Sequence, residues 1–451
     1  MKRIRLAAAL LVVATVCGHQ AVVAQGGAAT PAPPPPPPPP NISSCGVPWD
    51  AETNLPPAPY QQLPYFDSYS WRAFAALICA AKTGQRGEAN PALGRDGKET
   101  RVFETFKSAW EVFHTGTVSS DFNKYGDNKY NPCRADASPG ELVLASVSKF
   151  FDTSEAGMGL DPIGPLPAQN RTYVHYLTQY NKNSFDHMVQ VLGKPGQSSQ
   201  FPDRSVNVKS AWVEMKGLNP ERFYVRKAWI PRPGGHCEKV DVGLVGLHIV
   251  QKTSTRPRWI WSTFEQVDNA PDADGKCPPP GGPFTFNNRD CTRMPPGPPP
   301  ADDNKPDFPP KYIFNVQRAF HLISNCTGCT KDTNVKYQGK FARNSKWRYY
   351  ELVMTQWPIK NTDGQDPSPQ QLGDPGFTFP GNGARSAYAN TVMETFFQGE
   401  TGAEPKLTCM ACHAHSARDF VWSLEIEPIG SRASALELVK KTIKDAGIPV
   451  Q

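Results

Sequence analysis

Beyond its first two dozen residues the chain has no apolar run of the roughly 20 residues that a membrane-spanning helix needs. It also lacks a nucleophile elbow, a glycine-rich phosphate loop and an obvious pair of acid/base carboxylates, and the acidic stretch at 272–275 (DADG) is too short for a calcium loop. These absences exclude the commoner hydrolase and nucleotide-binding readings. Strong net charge is missing too: of the formal +6, Lys2, Arg3 and Arg5 supply three at the very start, so nothing points to nucleic acid. What is abundant is irregular backbone and core. With 47 prolines and 36 glycines long loops are expected, while 39% hydrophobic and 10% aromatic residues suffice for a globular body.

The first 24 residues read as a secretory signal peptide: basic residues, an apolar run over 6–16, then Val22-Val23-Ala24 as a small-residue cleavage pattern. A proline run from Pro31 to Pro40, broken by Ala32, makes 25–44 an extended linker. Export leads to an oxidising compartment, here the periplasm, where cysteines pair. Leaving out Cys17 and the pair at 409 and 412, the remaining eight are Cys45, Cys79, Cys133, Cys237, Cys277, Cys291, Cys326 and Cys329. An even number allows up to four disulfides. Cys277 and Cys291 flank a Pro/Gly-rich loop as its staple, and Cys326 and Cys329 form a local pair.

The most specific stretch is Cys409-Met410-Ala411-Cys412-His413. Two cysteines three apart, followed at once by histidine, provide what covalent attachment of a c-type haem requires: two thiols for the vinyl groups and an imidazole for the iron. With 11 cysteines and 9 histidines in 451 residues, chance would give about 0.005 such patterns. A small disulfide, or a zinc site adding His415, is the alternative; zinc fingers, however, place their histidines apart from the cysteine pair and three to five residues from each other. Cys326-Thr327-Gly328-Cys329 has Thr330 where a second haem site would have histidine, so one haem c is expected.

Along the body, Trp71, Phe74, Leu77 and Ile78 have helical spacing within 69–82, as do Phe103, Phe106, Trp110 and Phe113. Shorter helical patterns fall at 173–180 and 185–192. From Arg204 the pattern changes to four strand-like segments in series, SVNVKSAWVEM, RFYVRKAWI, VGLVGLHIVQK and RWIWSTFEQV, which predict an antiparallel sheet over about 204–267 with VGLVGLHIV most buried. The C-terminal third suggests a helix at 313–322, a strand in WRYYELVMTQW, a helix in SAYANTVMETFFQ and a closing helix in SALELVKKTIKDAG. The fold class is therefore α+β, with flanking helices and long Pro/Gly-rich loops. The body occupies 45–310 and a helical haem-binding region 311–451, packed on the body.

Residues 414–451 contain no methionine, which excludes the small-cytochrome layout with its distal methionine far downstream of the motif. A sixth iron ligand, if there is one, must come from upstream unless His415 serves, and His415, two residues from His413, cannot easily reach the other face. Met393, on the helix expected just before the motif, is the first choice, with haem-packing core as its other role. His248, in the apolar strand, is the second; a lone histidine there also suits a hydrogen-bonded core residue. His321 and Met354 are lesser candidates, and an open sixth position is the remaining alternative. Arg343 and Arg385 could pair with propionates.

Taken together, SYSWRAFAAL, FETFKSAWEVF, VNVKSAWVEM, RWIWSTFEQVDNAP, YYELVMTQWP, YANTVMETFFQ and CMACH resemble exported bacterial proteins of the cytochrome c family, from about Tyr65 to Ala417. The resemblance implies haem at Cys409, Cys412 and His413, places Met393 in a family motif and implies no substrate. The chain departs from the pattern at ALICA (76–80), where Cys79 suggests a disulfide particular to this protein. The expected function is a periplasmic monohaem electron carrier serving a redox protein or respiratory component, loaded by the cytochrome c maturation machinery, with no membrane span after signal cleavage. The alternatives are a haem-dependent oxidoreductase with an open distal site, acting on a small molecule or peroxide, and a secreted binding protein with a structural CxxC.

Overall fold

The computed structural model describes residues 37–51, 54–56, 59–112, 121–125, 131, 133–144, 166–192, 200–273, 284–288, 309–310, 313, 315–318, 321–322, 329–358, 389–395, 409, 413, 416, 418–422 and 424. The expected signal peptide, most of the proline run, Cys277, Cys291, Cys326, Arg385, Cys412, His415 and the closing helix lie outside them. Residues 35–451 form one compact unit.

A single mixed sheet organises that unit. Its strands are β1 (Lys107–Ser108), β2 (Leu142–Val143), β3 (Val174–Tyr180), β4 (Val206–Glu214), β5 (Val225–Pro231), β6 (Cys237–Thr253), β7 (Arg256–Gln266) and β8 (Tyr350–Gln356). Strand β6 is its spine. One edge of β6 pairs with β4 over Val242–Gln251; the other takes β5 along its first half and β7 along its second. β3 and β1 extend the sheet beyond β4, β8 lies beyond β7, and β2 joins β5 in the only parallel pair among the described strands. The four strands expected in series are thus present, but β4 and β5 do not pair because β6 runs between them. Val242–Leu247, in the apolar stretch expected to be most buried, are buried throughout. The sheet also draws on both sides of residue 310, since β8 comes from the C-terminal part.

On one face lies helix α1 (Leu63–Leu77), started by a proline in its first turn and buried almost all round. It is enclosed because the sheet covers one side and α4 (Thr330–Gln338) the other: Trp71 stacks on Tyr337 at 5.6 Å and meets Phe264 edge-on at 5.1 Å. The Trp71 indole donates to Asn334 Oδ1 at 2.9 Å. Helix α3 (Lys182–Val191) covers the opposite face, capped by Asn181, whose side chain accepts from Ser184 N and Val206 N.

Four helical expectations give way to other structures. Residues 174–180 form β3, because their aromatic spacing of three and four coincides with a segment buried on both faces. The stretch 103–112 breaks at Phe106, where ψ of 159° leads into β1, leaving a turn of 3-10 helix before it and the short α2 (Ala109–Val112) after it. Residues 389–395 are turn rather than α-helix, and the described residues of 313–322 are irregular.

Disulfides join Cys45 to Cys79, at the end of α1, and Cys133 to Cys237, at the start of β6. Cys329 is disulfide-bonded as well, to a cysteine outside the described residues. No helix among the described residues is long and apolar enough to cross a membrane.

Candidate functional site

Strand register determines which residues share the face of the sheet opposite α1. One row runs Tyr176, Ala211, Gly246, Glu265; the next Thr178, Lys209, His248, Thr263; the third Tyr180, Asn207, Val250, Trp261. Successive rows are two residues, about 7 Å, apart along the strands. The first row is capped by Ala389–Thr395 and the third by α3 and the C-terminal residues, while the middle row is polar.

His413 lies over the third row. Its ring is 4.5 Å from that of Trp261, tilted by 47°, and its Nδ1 is 2.9 Å from the backbone carbonyl oxygen of Phe420. A carbonyl only accepts, so Nδ1 is the protonated nitrogen and Nε2 the basic one in the neutral ring, which is how second-shell partners prepare a histidine to ligate a metal. Cys409, half-buried against the cluster of Trp259, Trp261, Phe185 and Met188, has helical backbone, as does His413.

The Phe420 carbonyl belongs to an unusual turn. Val421 N donates to Arg418 O at 3.0 Å, and the two central residues, Asp419 and Phe420, have φ of 54° and 67°. Positive φ at both central positions is the signature of a type I′ turn, a geometry dominated by glycine, asparagine and aspartate. Here one of the two is phenylalanine. The turn is tied to the sheet at Asp419: Oδ2 accepts from Lys252 Nζ at 2.6 Å and from Phe201 N at 2.8 Å, and its carbonyl accepts from Trp259 Nε1 at 3.0 Å. Trp259 itself has φ of 68°, where the β6–β7 register shifts. Burial raises the Asp419 carboxyl above its ordinary pKa, against the opposing pull of Lys252.

Met393 is fully buried over the first row. Its Cγ and Cε lie 3.4 and 3.3 Å from where a Cβ on Gly246 would be, among Val174, Tyr176, Ala211, Val213 and Val245. The segment is fastened by Asn390 Nδ2 to Thr263 Oγ1 and the Phe264 carbonyl, by Thr391 N to Glu265 Oε2 at 2.9 Å, and by Tyr176 Oη to the Val392 carbonyl at 2.7 Å. Glu265 is held in turn by Arg318, which also bonds Glu351 at 2.9 Å. His248 is half-buried in the middle row with Nε2 3.5 Å from Glu394 Oε1. The motif and both upstream candidates therefore share one face of the sheet.

The lesser candidates lie elsewhere: His321 Nδ1 is 3.2 Å from Asp272, and Met354 packs with Phe66, Tyr69 and Trp357 beside α1. Arg343 is exposed beyond α4, across the sheet from His413. The sequence reading missed Trp261, Lys252, Asp419 and the Phe420 carbonyl; the strand pattern located Trp261 but carried no sign of its neighbour. Among the described residues no group of three or more His, Cys, Asp or Glu is arranged to hold a metal ion. Comparisons with protein-family models, curated proteins and solved structures find no match to this chain.

Proposed function

We propose that the chain is an exported c-type haem protein that carries electrons in the periplasm, with one haem held by Cys409, Cys412 and His413. The observation that carries this reading is the His413 Nδ1 to Phe420 carbonyl contact beside a contiguous CxxCH motif. The sequence supplies the attachment chemistry, and the contact gives the histidine the tautomer that ligation requires. Export is supported by the basic and apolar N-terminus and is consistent with the disulfides. Haem would supply a one-electron iron couple; the protein's part is to bind it, orient His413 and control access of water.

Row spacing bears on the sixth ligand. Two residues that would hold one iron between them would have to lie close to one another. His413 is over the third row and Met393 over the first, about 14 Å away along the strands, whereas His248 is one row from His413. Met393 would also have to leave a closed core. The geometry therefore favours His248 over Met393, reversing the order taken from the sequence.

The test is intact mass and absorption after periplasmic expression with cytochrome c maturation factors. The parent should gain the mass of one haem, and Cys409→Ala with Cys412→Ala should lose it. A parent without haem would sink the proposal. On loaded protein, loss of the six-coordinate spectrum in His248→Ala and its retention in Met393→Ala is expected; a near-infrared methionine–iron band that disappears in Met393→Ala would restore Met393.

A further inference from the structure

A non-glycine residue in the left-handed region carries a steric cost and persists only where its surroundings enforce it. Asp419 and Phe420 bear that cost consecutively. Asp419 anchors the turn: its side chain is 1% exposed and meets that of Lys252, 6% exposed, in a buried ion pair. Its remaining partners, Phe201 N and Trp259 Nε1, come from the approach to β4 and from β7, so three separate segments converge on one residue. The next carbonyl along the chain is the one that receives His413.

We infer that Asp419 is a positioning residue for the haem ligand. Through Lys252 and Trp259 it locks the strained turn to the sheet, which fixes the Phe420 carbonyl and thereby the orientation and tautomer of His413. A purely structural aspartate would stabilise the fold without influencing the histidine. This inference rests on the haem reading, but its first link, from Asp419 to the His413 Nδ1 proton, exists whether or not haem is bound.

The experiment uses the full chain, ¹⁵N-labelled at histidine, and measures exchange of the His413 Nδ1 proton with solvent. The reduced haem-loaded form is used, or the haem-free form if none attaches. Asp419→Ala should speed that exchange by about tenfold or more by freeing the turn to open. Asp419→Asn, which still accepts from Phe201 N, should recover most of the protection. In the loaded protein the reduction potential of Asp419→Ala should rise, because an imidazole that donates a weaker hydrogen bond stabilises ferric iron less. Trp259→Phe, which deletes one donor to the turn, should shift both readouts the same way by less and serves if Asp419→Ala does not fold. Unchanged exchange and potential in folded variants would overturn the inference while leaving haem attachment intact. Faster exchange in a chain that carries no haem would support the lock and refute the haem reading.

Discussion

Gly246 offers the most direct test of how the Ala389–Thr395 segment sits on the sheet. A Cβ there would lie 2.8 Å from Val392 Cγ2, closer than carbon atoms tolerate, and 3.3 Å from Met393 Cε, a tight contact. The segment cannot simply lift, because Asn390, Thr391 and the Val392 carbonyl are hydrogen-bonded to Thr263, Glu265 and Tyr176. Overpacking of this kind costs about 1–3 kcal/mol, while replacing glycine returns about 0.4–1 kcal/mol through the unfolded chain. Gly246→Ala should therefore lose about 1–2 kcal/mol, read as a lower urea midpoint at unchanged slope. Adding Val392→Ala should recover part of that loss, so the double mutant should be more stable than additivity predicts. A Gly246→Ala protein as stable as the parent would mean that Val392 and Met393 are not seated on β6, and the row argument about Met393 would fail with it.

Two further outcomes follow from buried charge. His175 is buried with neither ring nitrogen hydrogen-bonded, and burial pushes its pKa from 6.5 down to about 4 against the opposing influence of Glu214. The folded state therefore favours the neutral ring: stability is complete above pH 6.5 and falls as pH drops toward 4, by about 3 kcal/mol in all. His175→Leu should flatten that part of the pH–stability curve, and an unaltered slope would refute the assignment. Arg318 bridges Glu265 and Glu351, and burial raises the latter to about 7 despite the arginine. Arg318→Met should cost about 3–5 kcal/mol in chemical denaturation by leaving buried carboxylates without their cation; a loss under about 1 kcal/mol would show that the cluster is solvated.

Periodicity made the sheet legible where strands alternate or run apolar, as in β4 to β7, and it failed where two periods coincide. Tyr173, Tyr176 and Tyr180 satisfy a helix as well as a strand, and burial of both faces decided for β3. Phe103, Phe106 and Trp110 keep helical spacing across a break that exists because Lys107 pairs with Tyr180 on another strand. The CxxCH motif stood out in the sequence because the attachment chemistry proposed for it would need contiguous residues. Its support did not. Asp419 and Phe420 contain no glycine to announce a left-handed turn, and their anchors, Phe201, Lys252 and Trp259, are at least 160 positions distant. Met393 lost its predicted helix because side chains and backbone of 390–392 bond to the sheet beneath, at Thr263, Phe264, Glu265 and Tyr176, leaving one helix-like backbone bond, Glu394 N to Asn390 O, among the described residues.

The spine of the sheet also fixes an order of assembly. β5, β6 and β7 follow one another through short turns, whereas Tyr176 meets Val392 across 216 positions and Trp259 meets Asp419 across 160. Local hairpins close early and distant pairings late, because the entropy of the larger loop is lost before any contact offsets it. Loop entropy therefore favours completing the surface that receives His413 before the turn at 418–421 docks on it. Until then Cys409 lies on undocked chain, within reach of any enzyme that modifies its thiol, and the same docking step that orients the histidine ends that access.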